Sequence, residues 1–351
     1  MRVAVAMSGG VDSSVTAALL VREGHAVIGV TMRLWDRDPA GRNPCCSVEA
    51  ADDARRVCRR LGIPHYVLNL QPEFERYVVN EFVAAYAAGF TPNPCLACNR
   101  YIKFDALWRR LAGAEVDCLA TGHYARLGRE GGRYTLRRGV DSHKDQSYVL
   151  YNLTQEQMAR LVLPLGEMTK PEVRDLARQW DLPVAEKAES QDICFVPGDY
   201  RAFLAPRVKA APGPFLDSRG RVLGRHRGLP FYTVGQRRGL GLAAGERLYV
   251  TGLDRARNAV LVGTADEVWG RALVVDDLNY VSFPPPDGPA DAMVQIRYRA
   301  RPSPATLRPL AETELKIEFF AGQRSMAPGQ AAVFYREDYV WGGGRIKARI
   351  G

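Results

Sequence analysis

Two cysteine-bearing segments and one serine- and glycine-rich turn hold the residues with which this chain could do chemistry. Cys95 and Cys98 lie in Thr91-Pro92-Asn93-Pro94-Cys95-Leu96-Ala97-Cys98-Asn99-Arg100, and Cys194 lies in Glu189-Ser190-Gln191-Asp192-Ile193-Cys194-Phe195. Both stretches read as polar, turn-rich loops, where a thiolate can be solvated and reach a ligand. A lone Cys-x-x-Cys leaves three readings open: half of a zinc site, a redox pair, or a nucleophile with an incidental neighbour. No second Cys-x-x-Cys and no matched histidine pair accompanies it, which argues against structural zinc. Cys58 falls on the face of Val48, Ala51 and Leu61, and Cys118 precedes an apolar strand, so both are expected in the core. Cys45-Cys46, flanked by Asn43-Pro44 and Ser47, reads as a surface loop.

The turn is Ser8-Gly9-Gly10-Val11-Asp12-Ser13-Ser14, placed directly after the apolar run Val3-Ala4-Val5-Ala6-Met7. Two glycines let the backbone approach a phosphate, and the serines are expected to cap a helix over 13–23 whose N-terminus attracts anions. It reads as a pyrophosphate-binding loop. No Lys-Ser/Thr follows the glycines, and the spacing is not that of a dinucleotide fingerprint.

The 351 residues suit two or three domains with ordinary cores. No basic segment leads into an apolar one at the N-terminus and no apolar run reaches a membrane span, so the expected compartment is the cytoplasm. Seven cysteines at irregular spacing do not form a secreted disulfide framework. Residues 1–199 hold 25 basic and 25 acidic side chains and residues 200–351 hold 23 and 14, so the whole net charge of +9 lies in the C-terminal part. One basic cluster comprises Arg225, His226, Arg227, Arg237 and Arg238, and a second comprises Arg297, Arg299, Arg301 and Arg308 around Tyr298. Cations interleaved with an aromatic suit a polyanion with stackable bases, whereas charge alone would also fit a solvated basic surface.

These groups need elements to position them. Up to about residue 125, apolar strands (3–7, 26–35, 65–70, 118–121) alternate with helical patterns (13–23, 48–61, 74–88), which predicts an α/β unit with a parallel sheet. Ligands of such a sheet bind beyond the carboxyl ends of its strands, where the Ser8–Ser14 turn sits. Residues 154–205 look helical, opened by the capping box Thr154-Gln155-Glu156-Gln157. Beyond residue 210 short strands are expected at 247–252, 259–262, 293–299, 314–320, 331–335 and 345–350. Phe283-Pro284-Pro285-Pro286-Asp287-Gly288-Pro289 reads as a linker or long loop, since prolines cannot carry a ladder. The expected division is a catalytic unit over 1–205, a small β-rich unit over 206–270 and a β-barrel over 271–351.

The strand–SGGxDSS–helix arrangement resembles the PP-loop of the N-type ATP pyrophosphatases, which activate a carbonyl oxygen by adenylation. Further segments follow in order: Met32, the NPCxxCNRxIKF run, Ala120-Thr121-Gly122-His123-Tyr124, Lys144-Asp145-Gln146-Ser147-Tyr148, Ser190–Phe195, Thr233–Gly239 and Pro328-Gly329-Gln330-Ala331. From residue 3 to about 348 the chain resembles the bacterial tRNA-specific 2-thiouridylase (MnmA/TrmU) family. The resemblance implies an adenine nucleotide alpha hydrolase-like fold and 2-thiolation of the wobble uridine in tRNAs for Lys, Glu and Gln. ATP would activate the 2-carbonyl, and a cysteine persulfide, charged by a cysteine desulfurase or sulfur-relay protein, would supply sulfur.

Carried over by residue, the resemblance implies that Ala6, Met7, Ser8, Gly9, Gly10, Val11, Asp12, Ser13, Met32 and Gly122 hold ATP, with Asp12 the Mg²⁺ partner. It makes Cys194 the persulfide carrier and Cys98 the nucleophile that ends in a disulfide with it. Asn93, Pro94 and Cys95 would lie against the target base, and His123, Lys144, Asp145, Gln146, Arg297, Tyr298 and Gln330 against the tRNA. His123 also fits a satisfied histidine at a strand end, and one of Arg297 and Tyr298, on an alternating strand, would also fit a barrel-facing position. Many relatives carry Asp where this chain has Cys95, and Cys95, Cys98 and Cys194 together would suit three-thiolate ligation of a [4Fe-4S] cluster. Two other classes remain in view: another PP-loop enzyme such as an argininosuccinate or NAD synthetase, and a noncatalytic RNA-binding protein.

Overall fold

The computed structural model describes residues 1–35, 48–188, 193–196, 198–243 and 245–350. Cys45 and Cys46, and the Glu189–Asp192 part of the Cys194 segment, lie outside the described residues.

The apolar run at the N-terminus forms β1 (Arg2–Ala6), buried from Val3 onward, and the serine- and glycine-rich turn delivers the chain into α1 (Val11–Arg22). β2 (Ala26–Arg33), α2 (Val48–Leu61), β3 (His65–Asn69) and β4 (Cys118–Ala120) continue the alternation. A hairpin follows, β5 (Ala125–Glu130) and β6 (Arg133–Arg138), and then β7 (Leu161–Val162). Strands β3-β2-β1-β4-β7 form one parallel sheet in that order. The order reverses direction beside β1, which places the Ser8–Ser14 turn at the sheet's switch point, where the carboxyl ends of the strands leave a crevice.

Between residues 154 and 205 the helices are short (Gln155–Met158, Lys170–Gln179, Tyr200–Leu204) and β7 interrupts them to join the sheet, which the helical reading of this stretch did not include. The predicted capping box is present, with Thr154 accepting from the Gln157 N–H and Gln157 reaching back.

Next come β8 (Gly213–Leu216), β9 (Val222–His226), β10 (Tyr249–Asp254) and β11 (Ala259–Gly263), a four-stranded sheet in the order β10-β11-β8-β9. Then β12 (Trp269–Tyr280), β13 (Ala290–Gln295), β14 (Ser303–Ala311), β15 (Glu314–Arg324), β16 (Ala331–Arg336) and β17 (Tyr339–Ile350) close a six-stranded antiparallel barrel, because β12 pairs with both β15 and β17. Closure leaves no free sheet edge within the barrel. The proline-rich segment at 283–289 is therefore no linker. It joins β12 to β13 inside the barrel unit, and the Trp341 indole N–H donates to the Pro284 carbonyl at 2.8 Å.

The hairpin β5–β6 crosses to the barrel. Arg133 donates to the carbonyls of Val281 and Tyr280, each at 2.8 Å, the Leu136 N–H donates to Ser282 Oγ at 3.0 Å, and Arg137 stands opposite Tyr339. Behind it one apolar cluster runs without a break from Ala4 and Val30 through Tyr148 to Val281, Val333, Tyr335 and Val340. Among the described residues no helix is long and apolar enough to cross a membrane.

Cys58 and Cys118 are buried, as their positions on apolar faces predict. A Cβ added at Gly29 of β2 would stand 2.4 Å from Cys58 Sγ and 3.3 Å from Met7 Cγ, so strand and helix meet there only because position 29 has no side chain. Gly29→Ala should destabilise by about 1–3 kcal/mol through overpacking, and Cys58→Ala by about 1 kcal/mol through the cavity it leaves. The double variant should be more stable than Gly29→Ala alone, and a thermal-unfolding comparison of the four proteins in which the losses simply add would refute this contact.

Candidate functional site

The phosphate-loop candidates are assembled around the first turn of α1. Gly10 is the N-cap and no side chain caps the helix. The serines therefore do not act as caps, contrary to the expectation; Ser13 and Ser14 donate to the Gly10 carbonyl at 3.1 and 2.8 Å. Ser8 contacts Ser13 through its N–H at 3.2 Å and its hydroxyl at 3.3 Å. Backbone N–H groups at the start of a helix without a side-chain cap are suited to an anion. Gly9 has φ +69° and a Cβ there would lie 2.2 Å from the Ala50 carbonyl oxygen, so the loop runs directly against α2. Gly122 is needed for the same reason on the other side, where a Cβ would meet Asp12 and Ser13 backbone atoms at 2.8–2.9 Å. Met32, near the end of β2, is partly buried beside this crevice.

Two lysines that the sequence reading did not single out meet this loop. Lys170 is buried and its Nζ donates to Asp12 Oδ1 at 2.7 Å, where the Tyr124 hydroxyl also donates at 2.7 Å. Lys187 donates to the Gly9 carbonyl at 2.9 Å and to Asp53 Oδ2 at 2.5 Å. The Asp53 carboxyl is held below its ordinary range by Lys187 and Arg56, which outweigh its burial. A lysine in the first turn of a helix opposes the macrodipole, which is the signal that could have marked Lys170. For Mg²⁺, which usually takes one or two carboxylates plus phosphate oxygens, Asp12 is the fitting residue, with Lys170 already supplying one positive charge beside it.

The cysteine segment is a helix and not a loop. Asn93 accepts from the Cys95 N–H at 3.1 Å, Pro94 occupies the first turn, and the helix continues through 94–111 with wider i→i+5 turns over Cys98–Ala106. Cys95 thus lies exposed in the first turn, where a helix N-terminus favours a thiolate, and Cys98 lies one turn on, buried. Asn152 donates to the Leu96 carbonyl at 3.0 Å and Asn99 to the Val149 carbonyl at 2.7 Å, which pins the turn to the body of the protein.

Cys194 is half-buried against the same apolar cluster that contains Cys98. The next residue places it: Phe195 is inserted edge-on among Phe74, Phe82 and Phe203, at ring separations of 5.6, 5.3 and 5.4 Å, with Trp35 at 6.2 Å. Such aromatic pairs contribute roughly 0.5–1.5 kcal/mol each beyond their burial. Among the described residues no three His, Cys, Asp or Glu side chains are grouped as metal ligands.

The remaining candidates divide. Gln330 donates to the Thr91 carbonyl at 2.8 Å, and the Thr91 N–H donates to Pro328 at 2.7 Å, so the barrel grips the strand of chain leading to Asn93. Asp145 accepts from Gly139, from the Ser147 N–H and from the Ser147 hydroxyl, and Gln146 accepts from the Tyr124 N–H at 3.0 Å, so both turn inward. Lys144 is half-buried on the same turn. His123 is buried: Lys103 reaches its Nε2 at 3.4 Å and Thr121 its Nδ1 at 2.7 Å. An ammonium only donates, so Nε2 is the acceptor, and burial followed by the Lys103 charge keeps this ring neutral.

Arg297 and Tyr298 are not on a strand, as predicted, but in an exposed turn just beyond β13. Tyr298 lies 6.0 Å from the Tyr148 ring, hydrogen-bonds the Gln146 side chain and is near enough to Cys95 to feel its charge. In the basic clusters two members are corrected. His226 is buried, donating from Nε2 to the Asn258 carbonyl at 2.9 Å, and Arg308 is ion-paired with Glu318 on the barrel wall. Arg237 instead joins Arg324, which stacks 4.6 Å over Tyr249; hydrogen bonds from both guanidiniums hold that phenol below its ordinary range.

Comparison with known proteins places the chain among its relatives. The tRNA methyl transferase HUP domain matches residues 1–198, the tRNA methyl transferase PRC-barrel domain residues 201–264, and the aminomethyltransferase beta-barrel domain residues 270–346. The tRNA-specific 2-thiouridylase MnmA of Pelotomaculum thermopropionicum is 55% identical over 99% of this chain and 97% of its own length. Those of Moorella thermoacetica and Carboxydothermus hydrogenoformans are 54% and 52% identical, over 98% and 99% of this chain and 99% and 98% of theirs. The chain belongs to the tRNA-specific 2-thiouridylase family. In a thiouridylase of this family the thiols' surroundings should decide their reactivity. Burial pushes the Cys58 thiol up to about 11 and also raises Cys118, disfavouring the thiolate at both. Iodoacetamide at pH 8 should therefore label Cys95 at least tenfold faster than Cys58 or Cys118, read by peptide mass spectrometry. Equal rates in the folded protein would contradict this arrangement.

Proposed function

We propose that the protein is an ATP-dependent tRNA-uridine 2-sulfurtransferase of the cytoplasm, acting on the wobble uridine of tRNAs for Lys, Glu and Gln. The end-to-end likeness to thiouridylases at 52–55% identity carries the reading. Its supports are a helix N-terminus with two lysines at a sheet switch point, and the Cys98 and Cys194 thiols packed in one apolar cluster. The working division is catalytic over 1–205, central over 206–270 and tRNA-binding barrel over 271–351.

The uridine 2-oxygen attacks the α-phosphate of ATP, and pyrophosphate leaves. Lys170 and Lys187 would offset the charge that grows on the leaving diphosphate, and the N–H groups of α1 would hold it in place. Asp12 is the residue that would hold Mg²⁺, whose chemistry there is further neutralisation of phosphate. A Cys194 persulfide, loaded by a protein donor, attacks C2 through its outer sulfur and expels AMP. Cys98 then attacks the Cys194 sulfur, the S–S bond to the base breaks, and 2-thiouridine leaves with a Cys98–Cys194 disulfide behind it. A thiol reductant resets the pair. Asn93, Pro94, Cys95, Arg297 and Tyr298 face the base and its loop, and the cations of the C-terminal part hold the backbone.

Ser8→Ala and Asp12→Asn should abolish tRNA-dependent pyrophosphate release while tRNA affinity stays within about twofold. Asn keeps the Tyr124 hydrogen bond, whereas Ala would also strand the buried Lys170 charge. Undiminished release from both variants would remove the loop from the mechanism. Cys98→Ser and Cys194→Ser should each eliminate thiolation, and Cys95→Asp should retain it. Arg297→Gln should flatten the salt dependence of tRNA binding by about 0.7–0.9 in log–log slope, and an unchanged slope would place Arg297 off the backbone.

A further inference from the structure

A chain of buried polar groups runs from the Asp145 turn into the barrel and ends on the backbone of the Arg297–Tyr298 turn. Ser147 Oγ donates to Asp145 Oδ2 at 2.9 Å and lies 3.3 Å from the Tyr335 hydroxyl. That hydroxyl lies 3.3 Å from Gln295 Oε1, and Gln295 Nε2 donates to the carbonyls of Arg297 at 3.0 Å and Tyr298 at 2.8 Å. Ser147 and Tyr335 are fully buried and Gln295 is nearly so. Ser147 spends its one proton on Asp145, so the Tyr335 proton is shared between Ser147 Oγ and Gln295 Oε1. Arg138 covers the Tyr335 ring at 3.9 Å, and burial keeps the phenol protonated. The Gln295 amide is thereby oriented: its oxygen must face the Tyr335 donor, which turns both N–H groups toward the 297–298 carbonyls. Leaving any member unpaired in this environment is costly, so the chain holds as a unit.

We propose that Gln295 and Tyr335 are positioning residues that set the Arg297–Tyr298 turn over Cys95 and Gln146, so that the barrel completes the base-binding face of the Cys95–Cys98 helix. The proposal rests on the thiouridylase reading for its catalytic consequence, and on the contacts of Tyr298 with Tyr148 and Gln146 for its geometry, with Cys95 within electrostatic reach. Neither residue meets the base. Each acts through the turn whose backbone it holds.

The test uses the full chain with Gln295→Ala, which removes both carbonyl contacts, and Tyr335→Phe, which keeps the ring and removes only the shared proton. Cys95 alkylation by iodoacetamide reports the surroundings that the turn gives this exposed thiol without requiring activity. Gln295→Ala should change that rate at least threefold, and Tyr335→Phe should change it by less. With tRNA, single-turnover thiolation should fall about tenfold in Gln295→Ala while tRNA affinity changes by less than threefold, a split that general loss of fold would not produce. Unchanged alkylation and thiolation in both well-folded variants would overturn the proposal. If the unaltered protein thiolates no tRNA yet Gln295→Ala still changes the Cys95 alkylation rate at least threefold, the positioning role stands and the thiouridylase reading fails.

Discussion

Tyr148 and Tyr335, both fully buried, fill the seam where the parallel-sheet unit meets the barrel, and each is tied across it. Tyr148 donates to the Ala331 carbonyl at 2.9 Å, and Tyr335 shares its proton with Ser147 and Gln295. Because the apolar cluster beneath the sheet continues through this seam into β16 and β17, the two units cannot separate without exposing a common core and unpairing buried hydroxyls. The exposed turns that face the cysteine helix are fixed relative to it by that constraint.

The same economy of contacts operates at the phosphate loop. A buried ammonium at Lys170 is tolerable because Asp12 and Tyr124 meet it, and Tyr124 is in turn held by Gln146 on the turn that reaches Tyr298. The Ser8–Ser14 loop and the Arg297–Tyr298 turn are therefore joined by a short run of hydrogen bonds. Nearby, Phe195 in its aromatic nest sets Cys194 against the cluster holding Cys98, so the order of the two thiols follows from packing and not from a covalent bond between them.

Local signals that depend on neighbours in the chain were legible from residues alone. The apolar run before Ser8, the alternation that gives β1 to β4, the Thr154 capping box and the burial of Cys58 and Cys118 all follow from periodicity and caps. Where two readings of the same residues competed, the local one sometimes lost. The segment around Asn93-Pro94 reads as a turn-rich loop although a cap followed by proline starts a helix, and Arg297-Tyr298 reads as strand although β13 ends at Gln295.

By itself the sequence determined the alternating α/β unit, the serine- and glycine-rich turn after its first strand, the identity of the thiols and the segregation of positive charge, since each is carried by residues adjacent in the chain or by composition. Only the tertiary structure decided that β5–β6 belongs to the barrel side, that Lys170 and Lys187 serve the Ser8–Ser14 loop, that His123 and His226 are buried and neutral, and that Gln295 reaches back to Asp145 through two hydroxyls. The lysine contacts, the Gln295–Tyr335–Ser147 links and the hairpin's pairing with the barrel join residues some 40 to more than 200 positions apart, and no periodicity or propensity encodes them. They arise because a buried charge or amide must find its partner wherever the closed barrel and the sheet bring one within hydrogen-bonding distance.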